Sequence, residues 1–159
     1  MTAQVHVPSL FSRAGTVSAL TLVAVGGALV APGAQPDAHA ASSAVAVRAV
    51  SVAASKAGAP YHWGAAGPDS FDCSGLAAYA YKKAGTSLPR TTQQQYNGTE
   101  HIAASARRKG DLVFFHSGSN AYHVGIYAGD DRIWHAPKTG STVRLEHIWT
   151  KDVWYGRVA

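Results

Sequence analysis

The hydrophobic positions follow three successive patterns along the chain. Residues 14–36 form an uncharged stretch whose most apolar part is residues 19–25. Along residues 73–84, apolar residues recur at the three-to-four spacing that marks one face of an α-helix. From residue 111 onward, short apolar runs are separated by Gly, Asp, Asn and Ser, which is typical of β-strands joined by turns. The pattern therefore predicts helices first and strands afterwards.

Three helices are predicted in the first half of the domain. They span residues 46–57, about 73–84 and 93–97. The second begins at Asp72 or Cys73, directly after a loop rich in Gly, Pro, Asp and Ser. Gly85 is suited to end it, because glycine adopts the left-handed conformation of a helix C-terminus at little cost.

The second half of the domain is predicted to form an antiparallel sheet. The predicted strands are residues 111–115, 122–128, 132–136, 142–145 and 154–158. A three-residue turn at 129–131 would join the second and third of them. Helices followed by a run of strands indicate an α+β fold with the helices packed on one face of the sheet.

Residues 1–40 have the organisation of a secretory signal peptide, with Arg13 as the only basic residue before the apolar stretch. Ala38-His39-Ala40 supplies the small residues of a cleavage site. We therefore expect cleavage after Ala40, a small-residue leader at 41–49, one folded domain at 50–159 and a secreted product. The alternative is an uncleaved membrane anchor, because the uncharged stretch is just long enough to span a bilayer.

Composition and charge limit the classes of partner. The chain has 159 residues, enough for one domain, and a formal net charge of +5 at pH 7. A basic domain suits an anionic surface or a substrate that bears carboxylates. The basic clusters at 82–83 and 107–109 are not interleaved with aromatic residues, so we expect no nucleic-acid partner. We expect the protein to be a monomer.

Cys73 is the only cysteine in the sequence. Exported proteins generally use cysteines in disulfide pairs, so a single one suggests a reactive thiol. Cys73 falls in the first turn of a predicted helix, where free N–H groups and the helix dipole favour a thiolate and an oxyanion. Asp72 is predicted to cap this helix rather than to act as an acid. The structural alternative is an inert, buried cysteine.

Two histidines occupy neighbouring predicted strands. A three-residue turn would pair His135 with Gly125 and place His123 diagonally from it on the same face. Gly125 would then leave room for the two imidazoles to meet. A helix-tip thiol, a base and an orienting group form the arrangement of a catalytic triad. The remaining histidines of the domain are expected at the surface or in loops; they are His62, His101, His116 and His147.

Four segments carry a resemblance to a known family. Residues 61–64 with 71–76 resemble the nucleophile segment of the NlpC/P60 cysteine peptidases, and residues 110–115 resemble their first core strand. Residues 123–127 are similar to the base motif, and residues 133–137 to the motif of the third catalytic residue. The resemblance covers residues 50–158, and its motifs occur in the family's order.

The resemblance implies a papain-like α+β fold and a catalytic domain at 50–159. It implies hydrolysis of peptidoglycan stem peptides, typically between the side-chain carboxyl of D-glutamate and the diamino acid, without a cofactor or metal. Cys73 would be the nucleophile, His123 the general base and His135 the orienting group. Tyr61 matches a tyrosine near the oxyanion site. The product would be associated with the anionic cell wall.

Three further positions match the family near the substrate cleft; they are Asp72, Ser74 and Arg90. One departure from the family pattern is Ala65-Ala66, because a second glycine commonly follows the position of Gly64. This departure leaves the path of the loop before Cys73 open.

Other functions fit the same residues. An amidase or acyltransferase could use the same triad, because each of these reactions passes through an acyl-enzyme. A zinc hydrolase could use Cys73, His123 and His135 as ligands, although the sequence has no compact ligand spacing. A non-catalytic wall-binding protein is a further alternative, but such a protein would more often have lost the thiol or a histidine.

Overall fold

The computed structural model describes residues 38–159. Residues 1–37 of the predicted signal peptide lie outside this range. The helices are α1 (Ala38–Ser55), α2 (Cys73–Ala84) and α3 (Thr92–Asn97). The strands are β1 (Glu100–Ile102), β2 (Leu112–Ser117), β3 (Asn120–Gly129), β4 (Arg132–His135), β5 (Arg144–His147) and β6 (Val153–Arg157). Helices precede strands, so the predicted α+β order is confirmed.

The first helix is longer than predicted, because it begins at Ala38 rather than Ala46. Alanine has the highest helix propensity, and no Gly or Pro interrupts this segment. Ala49 and Ala53 are fully buried in the core, and the Arg48 guanidinium donates a hydrogen bond to the carbonyl of Ala84 at 3.3 Å. The predicted leader at 41–49 is thus helical, and the predicted start of the folded domain at residue 50 falls inside α1.

Helix α2 begins and ends where the sequence predicts. The Asp72 carboxylate caps its N-terminus by accepting a hydrogen bond from the Gly75 N–H at 2.7 Å. Gly85 ends the helix in the left-handed conformation at φ 112°. Gly75 is required at its position, since a Cβ there would lie 2.1 Å from the carbonyl oxygen of Ala65. The Ala65 carbonyl also accepts a hydrogen bond from the Asp72 N–H at 2.9 Å, which holds the loop containing Ala65-Ala66 against the start of α2.

The six strands form one sheet in the order β1-β6-β2-β3-β4-β5, with every neighbouring pair antiparallel. Strand β1 was not predicted, because it has only three residues and two of them are exposed. Strand β5 begins at Arg144 rather than Thr142, two residues later than predicted.

The β3–β4 hairpin has the predicted register over part of its length. Ile126 pairs with Trp134 and Tyr127 with Ile133, but Gly129 pairs with Arg132 after a register shift. The turn therefore contains two residues rather than three, and both have positive φ, 53° at Asp130 and 54° at Asp131. Such a turn matches the twist of antiparallel strands. The register shift restores the pairing that the three-residue turn would have given.

The sheet has an apolar cluster on each face. Alternate residues of β2 belong to the two clusters. Leu112 and Phe114 pack in the helix-side core, and Val113 and Phe115 pack in a smaller cluster on the other face. None of the helices within residues 38–159 is long and apolar enough to cross a membrane.

Candidate functional site

Cys73 is the first residue of α2, as predicted, and its side chain is partly buried. Its Sγ lies 3.7 Å from the hydroxyl oxygen of Thr92, the first residue of α3. Among the described residues, the thiol makes no hydrogen bond to His123. Thr92 was not predicted as a site residue, and its only signal was its place at the start of a predicted short helix.

Helix α3 links the thiol to the strand that carries His123. A capping box at Thr91 and Gln94 fixes its N-terminus. The side-chain oxygen of Gln93, next to Thr92, accepts a hydrogen bond from the backbone N–H of Ala121 at 2.7 Å. Ala121 lies two residues before His123 on β3. The α3 helix therefore contacts both the thiol and the start of β3.

His123 and His135 face each other, which confirms the predicted shared face. Nε2 of His123 lies 2.9 Å from Nδ1 of His135, and the ring centroids are 5.2 Å apart. The nearest side chain that a Cβ at Gly125 would meet is that of Ile133, at 2.6 Å. Gly125 thus makes space for Ile133, which precedes His135 on the same face.

A carboxylate extends the histidine pair. Nε2 of His135 lies 2.7 Å from Oε2 of Glu146 on β5. The other carboxylate oxygen of Glu146 contacts the Arg144 guanidinium at 3.0 Å. Glu146 was not predicted as a site residue, because the predicted strand stopped at Leu145. The available signal was an acidic residue on a strand that pairs with the His135 strand.

Burial keeps both imidazoles neutral. Burial, with a smaller contribution from His135, lowers the pKa of His123 from 6.5 to about 3. Burial also lowers the pKa of His135, although the Glu146 carboxylate partly opposes this effect. Partial burial raises the pKa of Glu146, but hydrogen bonds from Arg144 and His135 outweigh burial and leave that pKa below its ordinary value. Neutral imidazoles and an ionised carboxylate are therefore expected at neutral pH.

An indole covers the histidine pair on one side. The Trp149 ring stacks on Phe115 at a centroid distance of 4.0 Å. It lies 5.9 Å from the ring of His123 and 5.5 Å from that of His135. His123 is 7% exposed and His135 is 1% exposed, whereas Trp149 is 53% exposed. The indole therefore shields both imidazoles from water at the protein surface.

The buried imidazole of His123 predicts a loss of stability in acid. Between the unfolded pKa of 6.5 and the folded value of about 3, the unfolded chain binds a proton that the folded protein excludes. The free energy of unfolding should therefore fall as the pH drops through this window, by roughly 3 kcal/mol between pH 7 and pH 4. Urea unfolding at both pH values should show a smaller fall in His123→Ala. The exposed His101 provides the control substitution, and parallel curves for all three proteins would contradict the assignment.

The predicted substrate-binding residues form one cluster beside Cys73. The Asp72 carboxylate accepts hydrogen bonds from Gly64 N–H at 2.9 Å, from Gly75 N–H and from the Arg90 guanidinium. Ser74 lies between them, with its Oγ 3.0 Å from Arg90 and 3.3 Å from Asp72. Burial raises the pKa of Asp72, but these hydrogen bonds outweigh it and the net pKa is lowered. Asp72 and Arg90 are thus paired with each other, and 40% of the Arg90 side chain remains exposed.

Tyr61 lies in the loop before α2 and forms a parallel bridge with Phe71. Burial raises the pKa of Tyr61, and the nearby Cys73 and Asp72 add to this effect, so the phenol stays protonated. Its hydroxyl can therefore donate a hydrogen bond. No group of three or more His, Cys, Asp and Glu side chains within residues 38–159 is suited to hold a metal ion.

Comparison with known proteins identifies the family. The model of the NlpC/P60 family matches residues 58–158, which include the thiol, the histidine pair and Glu146. The chain belongs to the NlpC/P60 family. This family assignment confirms the resemblance carried by the four sequence motifs.

One relative of known sequence and one solved structure illustrate what the chain is similar to. A protein of Corynebacterium glutamicum named a "probable endopeptidase" is 44% identical over 141 residues, which cover 89% of this chain and 62% of that protein. The present chain therefore spans less than two thirds of that relative. The crystal structure of the P60 domain of a Mycobacterium avium subspecies paratuberculosis antigen is 27% identical, with a TM-score of 0.66, and covers 73% of this chain and 96% of that one.

One structural relative is described as lacking catalysis. RipD from Mycobacterium tuberculosis is described as a non-catalytic NlpC/p60 domain protein adapted to peptidoglycan binding. It is 28% identical, with a TM-score of 0.63, and covers 72% of this chain and 98% of that one. Membership of the family therefore does not by itself establish catalysis, which has to be inferred from the residues of the site.

Proposed function

We propose that the protein is a cysteine peptidase that hydrolyses the stem peptides of peptidoglycan. The observation that carries this proposal is the neutral, buried pair of His123 and His135, together with the α3 helix that links the strand of His123 to a helix-tip thiol. A wall-binding protein would need neither a thiol at a helix N-terminus nor a buried base with a fixed partner. The combination supports nucleophilic catalysis rather than binding alone.

In the proposed reaction, His123 accepts the Cys73 proton and the thiolate attacks the carbonyl carbon of the scissile amide. The free N–H groups at the start of α2 and the Tyr61 hydroxyl stabilise the oxyanion of the tetrahedral intermediate. The imidazolium of His123 then gives its proton to the leaving amine, and the carbon–nitrogen bond breaks to leave a thioester. Water activated by His123 hydrolyses the thioester and releases the acid and the thiol.

This reaction needs the thiol to leave its contact with Thr92. A rotation about the Cα–Cβ bond of Cys73 moves Sγ without any change in the helix. Contacts between a nucleophile and its base are often long in free enzymes and become shorter when substrate binds. The present contact with Thr92 is therefore compatible with proton transfer to His123 in the complex.

We propose that the stem peptide binds beside the Asp72–Ser74–Arg90 cluster. The exposed part of Arg90 can meet a carboxylate of the stem, while Asp72 holds the guanidinium in place. Asp72 is proposed to orient Arg90 rather than to contact the stem itself, because Gly64, Gly75 and Arg90 already occupy its carboxylate. The bond between D-glutamate and the diamino acid is the proposed site of cleavage.

Digestion of purified peptidoglycan tests this function. Mass spectrometry should detect fragments cut between D-glutamate and the diamino acid, with little hydrolysis of casein under the same conditions. Fragments cut only at the sugar–peptide amide would identify an amidase instead. Binding of peptidoglycan without any released fragment would place the protein with the non-catalytic members of the family.

We also propose that the protein is secreted and acts at the cell wall. The support is the sequence pattern of residues 1–40 and the net charge of +5, which suits an anionic wall. Intact-mass measurement of the protein from culture medium should give a chain that begins at Ala41. A full-length, cell-bound protein would support the membrane-anchor alternative.

A further inference from the structure

We propose that Glu146 is a positioning residue that sets the tautomers of both histidines and thereby leaves Nδ1 of His123 free to act as the base. This inference rests on the proposed function, because it assigns the base to a particular atom of the same site. Strand pairing places Glu146 next to the site. Glu146 on β5 pairs with Ile133 on β4, and Ile133 lies two residues before His135 on the same face of the sheet.

The tautomers follow from the chain of hydrogen bonds. An ionised carboxylate can only accept, so Nε2 of His135 must carry the hydrogen that it shares with Oε2 of Glu146 at 2.7 Å. In a neutral imidazole the other nitrogen is then an acceptor, which makes Nδ1 of His135 accept from Nε2 of His123 at 2.9 Å. His123 therefore carries its hydrogen on Nε2, and its Nδ1 keeps a free lone pair.

The opposite arrangement would inactivate the base. If Nδ1 of His135 carried the hydrogen, it would donate to Nε2 of His123, and the hydrogen of His123 would have to lie on Nδ1. That nitrogen could not then accept a proton from the thiol. Without Glu146 both arrangements are available to a neutral pair, and the carboxylate selects the productive one.

Two further observations favour a functional carboxylate at this position. Arg144 contacts the oxygen of Glu146 that His135 does not use, so Oε2 keeps a fixed direction. Hydrogen bonds from Arg144 and His135 outweigh partial burial and hold the pKa of Glu146 below its ordinary value, so the group stays ionised at neutral pH. An ionised Glu146 would also stabilise the positive charge that reaches the histidine pair when the thiol loses its proton.

The surroundings of Glu146 permit a direct chemical test. Its side chain is 37% exposed and borders an open groove of about 580 Å³ lined by His135, Pro137, Leu145, His147 and Trp149. A small carboxylate added to the solution can enter this groove. Formate should therefore replace the missing group in Glu146→Ala, which a purely structural role for Glu146 would not allow.

The experiment compares the full-length wild type with Glu146→Ala and Glu146→Gln, using Glu100→Ala on the exposed β1 strand as the matched control. Glu146→Ala should lower kcat on a wall peptide about 10- to 100-fold with little change in KM. Formate should raise the kcat of Glu146→Ala several-fold, whereas chloride at the same ionic strength should leave it unchanged. Glu100→Ala should behave as wild type with and without formate.

Imidazole ¹⁵N spectra of the free protein give a readout that does not depend on activity. His123 and His135 should both carry hydrogen on Nε2 in the wild type, and Glu146→Gln, whose amide can donate or accept, should show mixed tautomers. A hydrogen on Nδ1 of His135 in the wild type would overturn the proposal, as would full activity of Glu146→Ala. If the wild type cleaves no wall peptide, the proposed function fails, and the spectra still decide the role of Glu146.

Discussion

Replacing Cys73 by alanine should abolish hydrolysis of wall peptides, with a fall in kcat of at least about 10³-fold. The thiol supplies the atom that forms the thioester, and no other described side chain can take its place because Cys73 is the only cysteine. Release of peptide fragments from purified peptidoglycan, followed by mass spectrometry, measures the effect. Loss of a single partly buried sulfur atom should cost less than about 1 kcal/mol of stability, so the fold should survive.

Two comparisons separate nucleophilic catalysis by the thiol from metal-dependent hydrolysis and from an effect of the neighbouring hydroxyl. Iodoacetamide should inactivate the wild type and label Cys73, and EDTA should leave its activity unchanged, whereas a zinc hydrolase would lose activity with EDTA. Thr92→Val provides a control that removes the hydroxyl beside Sγ but keeps the thiol, and it should retain most of the activity. Hydrolysis by a folded Cys73→Ala protein would rule out nucleophilic catalysis by Cys73.

The histidine pair should show a graded loss of activity. His123→Ala should lower kcat by about 10²- to 10⁴-fold, because it removes the base that accepts the thiol proton. His135→Ala should lower kcat less, because His135 acts through the orientation of His123. His135→Asn should retain more activity than His135→Ala, because its amide oxygen can accept the hydrogen of His123 Nε2. Initial rates on a synthetic stem peptide measure the series.

The asparagine variant is the decisive member of this series. Equal losses for His135→Asn and His135→Ala would mean that His135 does not act by accepting a hydrogen bond from His123. His101→Ala is the matched control, since His101 is exposed on β1 and should tolerate the change. Thermal unfolding of each variant separates loss of the base from loss of the fold, because both site histidines are buried.

Local sequence determined the parts of the site that depend on neighbouring residues. Asp72 caps the helix that begins at Cys73, and a cap needs only a side chain that can reach an N–H three residues later. His123 and His135 share a face because strand side chains alternate with a period of two and the register shift between Tyr127 and Gly129 offsets the two-residue turn. The cap and the shared face each lie within about a dozen residues of sequence, so the pattern predicted both, although it did not show the register shift.

Only the tertiary structure decided which further side chains contact the capped helix and the histidine pair. Glu146 meets His135 because β4 pairs with β5 in one particular register. The sequence pattern placed the start of β5 two residues too early, because the loop before β5 does not specify how the strand pairs. Thr92 reaches Cys73, and Arg90 pairs with Asp72, because α3 and the segment before it return to the start of α2. Such contacts depend on how separate elements pack, and packing against a shared core has no local signature in the sequence.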